Sequence, residues 1–136
     1  MADATKDLLK KVPLFSGLGG KELSSISSLL RARTFPAGSA VVTEGLGGAG
    51  FFIIESGTAH VSVEGKEVRT LGPGDHFGEI ALITDTIRTA TITAETDLNC
   101  YGLTIWEFRP LVESNASIAW KLLTNVARQL SEAQHR

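Results

Sequence analysis

The sequence predicts a mainly β fold with flanking helices, and three observations support this. From Thr34 to Thr104, short apolar runs are separated by Gly or Pro, with turn signals about every eight to twelve residues. Helical periodicity occupies both ends of the chain, and one helix-compatible turn interrupts the β region after Gly78. We therefore expect a double-stranded β-helix (jelly-roll) barrel over 34–104. N-terminal helices at 1–33 and C-terminal helices at 105–136 would flank it.

Composition is consistent with one compact domain spanning 1–136. The 136 residues are 43% hydrophobic and 21% charged, which suffices for a buried core. Thirteen Lys and Arg are scattered among fifteen Asp and Glu, for a net charge of −2, so we expect no nucleic-acid binding by this chain. No apolar run reaches the ~20 residues of a membrane span. We expect a soluble, cytoplasmic protein that does not contact a membrane.

The terminal segments show apolar stripes typical of amphipathic helices. The first spaces Leu23, Ile26, Leu29 and Leu30 along one face. After the barrel, Thr104 precedes Glu107 at capping-box spacing, and Pro110 indicates a short or irregular helix. The final helix has two adjacent apolar rows, comprising Ile118, Ala119, Leu122, Leu123, Val126, Ala127 and Leu130. Packing explains one row, and the other is a candidate contact for a homodimer or a partner protein.

Two strands alternate clearly between apolar and polar residues. Ala59, Val61 and Val63 share one face of the first. In the second, predicted at Arg88–Glu95, Arg88 shares its face with Ala90, Ile92 and Ala94. If this alternation holds, the Arg88 side chain points inward, where an unpaired guanidinium costs several kcal/mol. Arg88 therefore needs an anionic partner.

Two partners for Arg88 are consistent with the sequence. One is Glu79, in a structural ion pair. The other is a bound anion, because "GPGDHFGE" places three glycines just before a helical turn, where backbone can approach a ligand closely. Glu79 would then accept hydrogen bonds from nearby hydroxyls, since a carboxylate cannot contact a phosphate favourably. Phosphate and hydroxyl together indicate a nucleotide or a sugar phosphate.

The run "FGEIALITDTIRTATI" resembles the phosphate-binding cassette of the cyclic nucleotide-binding domain family, F-G-E-x-A-L, a spacer, then R-[AST]-A-[ST]-[VI]. The likeness extends from Leu14 to about Leu130 through "LFSGL", "FPAGSAVVTEG", "FFIIESGTAHV" and "LGPGDHFGE". It implies that Arg88 binds a cyclic phosphate with help from backbone N–H groups near Ala81. It also implies that Glu79 binds the ribose 2′-hydroxyl and that Gly78 lets the backbone lie close to the ligand. The ligand-binding residues it implies are Phe77, Gly78, Glu79, Ile80, Ala81, Arg88, Thr89 and Ala90.

The resemblance also implies a regulatory role without catalysis. The ligand would be a 3′,5′-cyclic mononucleotide, and we expect cAMP to bind. cGMP is a second candidate, because a threonine after the cassette arginine, here Thr89, is associated in the family with the guanine base. Strand alternation argues mildly against that contact. Ligand binding would be transmitted by movement of the C-terminal helices, and no further cofactor is expected.

Two alternatives remain open at this stage. The domain could be an interaction module that keeps the fold without a ligand, although nothing else in the sequence requires both Glu79 and Arg88. A cupin-type metalloenzyme is less consistent, even though "GPGDHF" resembles a cupin motif. Cupins need a His-x-His, a Glu and a further His, and this chain has only His60, His76 and His135. We therefore expect no metal site.

Overall fold

A computed structural model describes residues 2–45, 50–84 and 88–134. The N-terminal helices are α1 (Ala2–Lys10) and α2 (Gly20–Ser27), with a 3₁₀ turn at Pro13–Phe15 between them. The strands are β1 (Arg31–Phe35), β2 (Ala40–Val42), β3 (Phe51–Ser56), β4 (Ala59–Val63), β5 (Lys66–Leu71), β6 (His76–Phe77), β7 (Thr91–Ala94) and β8 (Leu98–Leu103). A second 3₁₀ turn, Glu79–Leu82, follows β6, and helices α3 (Ile105–Glu113) and α4 (Ala116–Gln134) follow β8.

The strands form two antiparallel sheets of four strands each. One has the order β1-β8-β3-β6 and the other β2-β7-β4-β5. A shared apolar core is made of alternating residues from both sheets, namely Val42, Phe52, Ile54, Ala59, Val61, Leu71, Phe77, Ile92, Ala94, Leu98 and Cys100. The predicted β fold of jelly-roll type with flanking helices is confirmed. Its description as a single domain stays a prediction.

The predicted strand at Arg88–Glu95 is shorter than expected. Its alternation holds within β7, where Ile92 and Ala94 are buried, but β7 begins only at Thr91. The carbonyl of Arg88 accepts a hydrogen bond from the Gly45 N–H at 2.9 Å, outside the sheet ladder. The hydroxyl of Thr91 similarly accepts from the Glu44 N–H at 2.9 Å. Arg88 is therefore positioned by a loop contact and not by strand pleating.

Three residues that the sequence places on apolar faces are less buried than their neighbours on those faces. Val63 is 37% exposed, although Ala59 and Val61 on the same face are buried. Val63 ends β4 beside the turn to β5, after a register shift at Val61, so the pleat no longer directs it into the core. Leu29 and Leu30 follow the end of α2 and are not fully buried, because the helix that would have aligned them with Leu23 and Ile26 ends at Ser27.

The segment up to Leu29 and the segment from Glu107 onward form a compact helical unit. Phe15 packs edge-on against Phe108, with ring centroids 6.1 Å apart. Asn125 of α4 is buried, and its amide nitrogen donates to the carbonyls of Leu14 and Ser16 at 2.8 Å each. These hydrogen bonds tie α4 to the first 3₁₀ turn.

Only part of the predicted stripe on α4 is buried. Ile118 and Leu122 form the buried row together with Asn125, whereas Leu123 and Leu130 are each 59% exposed. Each helix in the described part of the chain is too short or too polar to span a lipid bilayer.

Candidate functional site

A sharp bend after β6 begins the site. Gly78 has φ +86°, in the left-handed region that residues with a side chain rarely adopt, and it starts the 3₁₀ turn Glu79–Leu82. Phe77 lies in the apolar core before this bend. After the bend, Glu79 lies beside His76, three residues earlier in the chain.

Gly78 also lies against the guanidinium of Arg88. A Cβ built on Gly78 would fall 2.7 Å from Arg88 Nη1 and closer still to the carbonyl oxygen of Gly50. Both distances are shorter than any real Cβ contact allows. The glycine was expected to admit a ligand's approach, and here it gives room to the arginine side chain.

Arg88 is half-buried and makes one hydrogen bond to the backbone. Its Nη2 donates to the carbonyl of Gly50. Its Nε is buried and has no hydrogen-bond partner within the described part of the chain. Burial lowers the pKa of Arg88, while the charge of Glu79 acts in the opposite direction. The group stays protonated at neutral pH because a guanidinium is not deprotonated in proteins.

Glu79 contacts His76 and not Arg88. Its Oε2 lies 3.4 Å from His76 Nδ1, within ion-pair distance but without the alignment of a hydrogen bond. The polar contact with His76 lowers the pKa of Glu79. The backbone N–H of Glu79 and the charge of Arg69 lower it further, whereas burial acts in the opposite direction. Glu79 is therefore ionised at neutral pH. The described residues contain no ion pair between Glu79 and Arg88, so the sequence-based alternative of a direct pair is absent.

All eight predicted residues line one cavity of about 530 Å³: Phe77, Gly78, Glu79, Ile80, Ala81, Arg88, Thr89 and Ala90. Thr89 is exposed and Ile80 is 66% exposed, so both lie near its opening. The backbone N–H of Ala81 donates to the carbonyl of Gly78 at 3.0 Å, within the 3₁₀ turn. The volume lies within the range of roughly 300–1,000 Å³ that is typical of small-molecule sites.

Sequence reasoning missed several other residues of the cavity. Its apolar wall is formed by Val42, Val61, Leu71 and Ile92. Strand alternation had placed Val61 and Ile92 on apolar faces without assigning them to a site. Arg69 lines it too, and its shared parity with Leu71 on β5 could have identified it. Asp75 and His76 complete the polar part. The spacing of His76 from Glu79 was the signal for that pair.

The histidines do not gather at one place. His60 contacts Glu67 through Nδ1 at 2.8 Å and Glu95 through Nε2 at 3.1 Å, whereas His76 lies at the cavity beside Glu79. His135 lies outside the described residues. Across the described ranges, no cluster of three or more His, Cys, Asp or Glu side chains could hold a metal ion.

Comparison with known proteins identifies close relatives by sequence. The regulatory subunit of cAMP-dependent protein kinase from Yarrowia lipolytica is 45% identical over 92 residues, 66% of this chain and 24% of that protein. A cGMP-dependent protein kinase from Eimeria tenella is 40% identical over 98 residues, 72% of this chain and 10% of that protein. The chain therefore spans about a quarter or less of the length of these curated relatives.

Solved structures show the same fold. The N-terminal domain of a transcriptional regulator from Streptomyces coelicolor matches with a TM-score of 0.87 and 25% identity, covering 95% of this chain and 94% of that one. A cyclic nucleotide-binding-like protein from Brucella abortus matches with a TM-score of 0.74 and 27% identity, covering 82% and 99% respectively. The family model described as cyclic nucleotide-binding domain matches residues 32–115, which include the whole cavity. The chain therefore belongs to the cyclic nucleotide-binding domain family and is related to the regulatory subunits of cAMP-dependent protein kinases.

Proposed function

We propose that this domain binds a 3′,5′-cyclic mononucleotide and acts as a cytoplasmic regulatory module without catalytic activity. In this proposal Arg88 binds the cyclic phosphate and Glu79 accepts a hydrogen bond from the ribose 2′-hydroxyl. cAMP is the first candidate ligand and cGMP the second.

The observation that carries the proposal is the separation of the two charges within one cavity. Arg88 presents a buried Nε that lacks an acceptor among the described residues, and Glu79 is ionised but not paired with it. A buried donor without an acceptor costs free energy. An anion at Arg88 would supply that acceptor, and a hydroxyl at Glu79 would supply a donor. A cyclic nucleotide carries both groups on one rigid ring system.

The expected affinity follows from the number of charged contacts. Each hydrogen bond to a charged group contributes about 1.5–3 kcal/mol. Two or three of them, with burial of the base against Val42, Val61 and Leu71, can reach the −8.2 kcal/mol of a micromolar dissociation constant. We expect micromolar or tighter binding.

Both bases stay candidates, for two reasons. The relatives include kinases named for cAMP and for cGMP. Thr89 lines the same cavity as the apolar wall against which the base would pack. Replacing Thr89 by Ala should lower affinity for cGMP more than for cAMP if the hydroxyl contacts guanine.

Titration calorimetry with cAMP, cGMP and 5′-AMP tests the proposal. Wild type should bind at least one cyclic nucleotide, and Arg88→Ala should weaken that binding by at least about 100-fold, the equivalent of two charged hydrogen bonds. Arg33→Ala is the matched control, because it removes an exposed arginine that does not line the cavity. No heat with either cyclic nucleotide on folded wild type would refute the proposal.

We further propose that α4 carries the output of the domain. Its exposed row includes Trp120, Leu123, Val126 and Leu130, with Trp120 70% exposed, and such a row suits a homodimer or a partner protein. Nucleotide binding would change the position of the C-terminal helices and thereby the availability of this row.

Sedimentation of wild type and Leu123→Glu, with and without ligand, tests whether the row joins two copies. A monomer under all conditions would exclude the homodimer.

A further inference from the structure

His76 is held in place at the cavity by its strand and by an aromatic neighbour. It pairs with Ile53 in the antiparallel ladder between β6 and β3. Its ring lies 6.0 Å from the Phe51 ring, centroid to centroid, at an interplanar angle of 39°. The side chain is 22% exposed. The ring orientation is therefore set by packing, and Nδ1 has a fixed direction.

That direction is toward Glu79. Nδ1 of His76 is buried and lacks a hydrogen-bond partner among the described residues, yet it lies 3.4 Å from Glu79 Oε2. A small rotation of the carboxylate would convert this contact into a hydrogen bond. A buried ring nitrogen beside a carboxylate is an unfavourable arrangement unless the nitrogen carries a proton that it can donate.

The other charged groups near this pair are accounted for. Arg69 and Arg88 both act on Glu79 through their charge, from β5 and from the segment before β7. Asp75 is engaged by the backbone, because its Oδ2 accepts from the Gly72 N–H at 2.8 Å. The single carboxylate of β3, Glu55, accepts a hydrogen bond from Tyr101. The group that faces His76 directly is therefore Glu79.

We infer that His76 is a positioning residue for Glu79, which orients the carboxylate toward a ligand hydroxyl and makes nucleotide binding pH-dependent. This inference rests on the proposed function of the site. His76 donates from Nδ1 to Oε2, which leaves the other carboxylate oxygen of Glu79 to accept from the ligand. This hydrogen bond is charge-assisted with and without ligand, because Glu79 is ionised. A second proton on the imidazole adds a positive charge in the cavity that attracts the anionic phosphate of the ligand.

Affinity should therefore rise as pH falls. A free imidazole titrates near pH 6.5, and a cyclic phosphodiester keeps a single negative charge across this region. Attraction between this one charge and the phosphate, partly screened by solvent, corresponds to about fivefold in affinity.

Calorimetric titration with cAMP and cGMP between pH 5.5 and 8.0 tests the inference on three chains. Wild type should bind about fivefold more tightly at the acidic end. His76→Gln can still donate an N–H to Glu79 but cannot titrate, so it should keep most of the affinity at pH 8.0 with a flat profile. His76→Phe should bind more weakly and also give a flat profile. His60→Gln, a substitution outside the cavity, should behave as wild type.

The outcomes separate this inference from the proposed function. If wild type binds neither nucleotide at any pH, the proposed function fails, and the inference fails with it. If wild type binds but its profile is flat, or His76→Phe keeps the wild-type profile, only the role of His76 is overturned. If His76→Phe does not fold, the profile of His76→Gln decides. A pH dependence of affinity in His76→Gln equal to that of wild type overturns the inference.

Discussion

Replacing Gly78 by alanine should disturb the site through two separable costs. The first is backbone strain, because Gly78 has φ +86°. A residue with a Cβ in the left-handed region costs about 1–2 kcal/mol. The second is steric, because the new Cβ would fall 2.7 Å from Arg88 Nη1 and closer still to the Gly50 carbonyl. The guanidinium can swing away, but the Gly50 backbone cannot, and such overpacking typically costs about 1–3 kcal/mol.

The chain offers a matched control for this substitution. Gly74 has φ +88°, nearly the same conformation, but a Cβ there would meet nothing within 4 Å. Gly74→Ala should therefore lose only the strain term, about 1–2 kcal/mol, whereas Gly78→Ala should lose about 2–5 kcal/mol. At roughly 4 °C per kcal/mol, these losses lower Tm by about 4–8 °C and 8–20 °C respectively.

Thermal and denaturant unfolding of both variants measures the difference. Binding adds a second measurement, because displacement of Arg88 should weaken nucleotide affinity more than tenfold in Gly78→Ala, while Gly74→Ala should change it by less than about threefold. Equal destabilisation of the two variants would refute the steric argument. It would mean that the Gly50 carbonyl does not restrict a Cβ at this position.

Three further predictions concern the rest of the chain. Hydrogen bonds from Lys121 and from the backbone lower the pKa of Glu22 from its ordinary 4.5 to about 2. The ionised Glu22 side chain therefore stabilises the folded state fully above pH 4.5, and this contribution is lost as the pH falls toward 2. Glu22→Gln should flatten this part of an acid-unfolding curve. Asn125→Ala removes the donor to the carbonyls of Leu14 and Ser16 and should lower the free energy of unfolding in urea by roughly 2–4 kcal/mol. The control Gln129→Ala, at an exposed position of the same helix, should lower it by less than about 0.5 kcal/mol. Burial raises the pKa of Cys100 to about 11. A thiol reagent at pH 8 should therefore label Cys100 only after the protein unfolds. Rapid labelling of the folded protein would contradict its burial.

Local patterns were sufficient for the general architecture. Short apolar runs with regular turn signals predicted a β-barrel between helices, because pleat period and turn chemistry are local properties. The position of β7 was less predictable. Strand alternation, extended back from Ile92, predicted correctly that Arg88 points inward. Arg88 nevertheless lies before β7, and its carbonyl is hydrogen-bonded to the Gly45 N–H outside the sheet.

The exposed face of α4 could be suspected but not identified from the sequence. Two apolar rows were visible, and the sequence could not tell which one packs within the protein. The structure buries Ile118 and Leu122 and leaves Leu123 and Leu130 exposed. Asn125 lies in the buried row, which periodicity of apolar residues could not reveal, because its burial depends on carbonyls more than a hundred residues earlier in the chain.

The sequence by itself determined the fold class, the family resemblance and eight of the residues that line the cavity. It could do so because the cassette is contiguous and its glycines, carboxylate and arginine stand at short, fixed intervals. Only the tertiary structure decided the partners of the two charges. It places Glu79 beside His76 and Arg88 against Gly78 and the Gly50 carbonyl. These contacts join the 3₁₀ turn, the segment before β7 and the start of β3, and such distances depend on how strands pair across the chain, which no local pattern specifies.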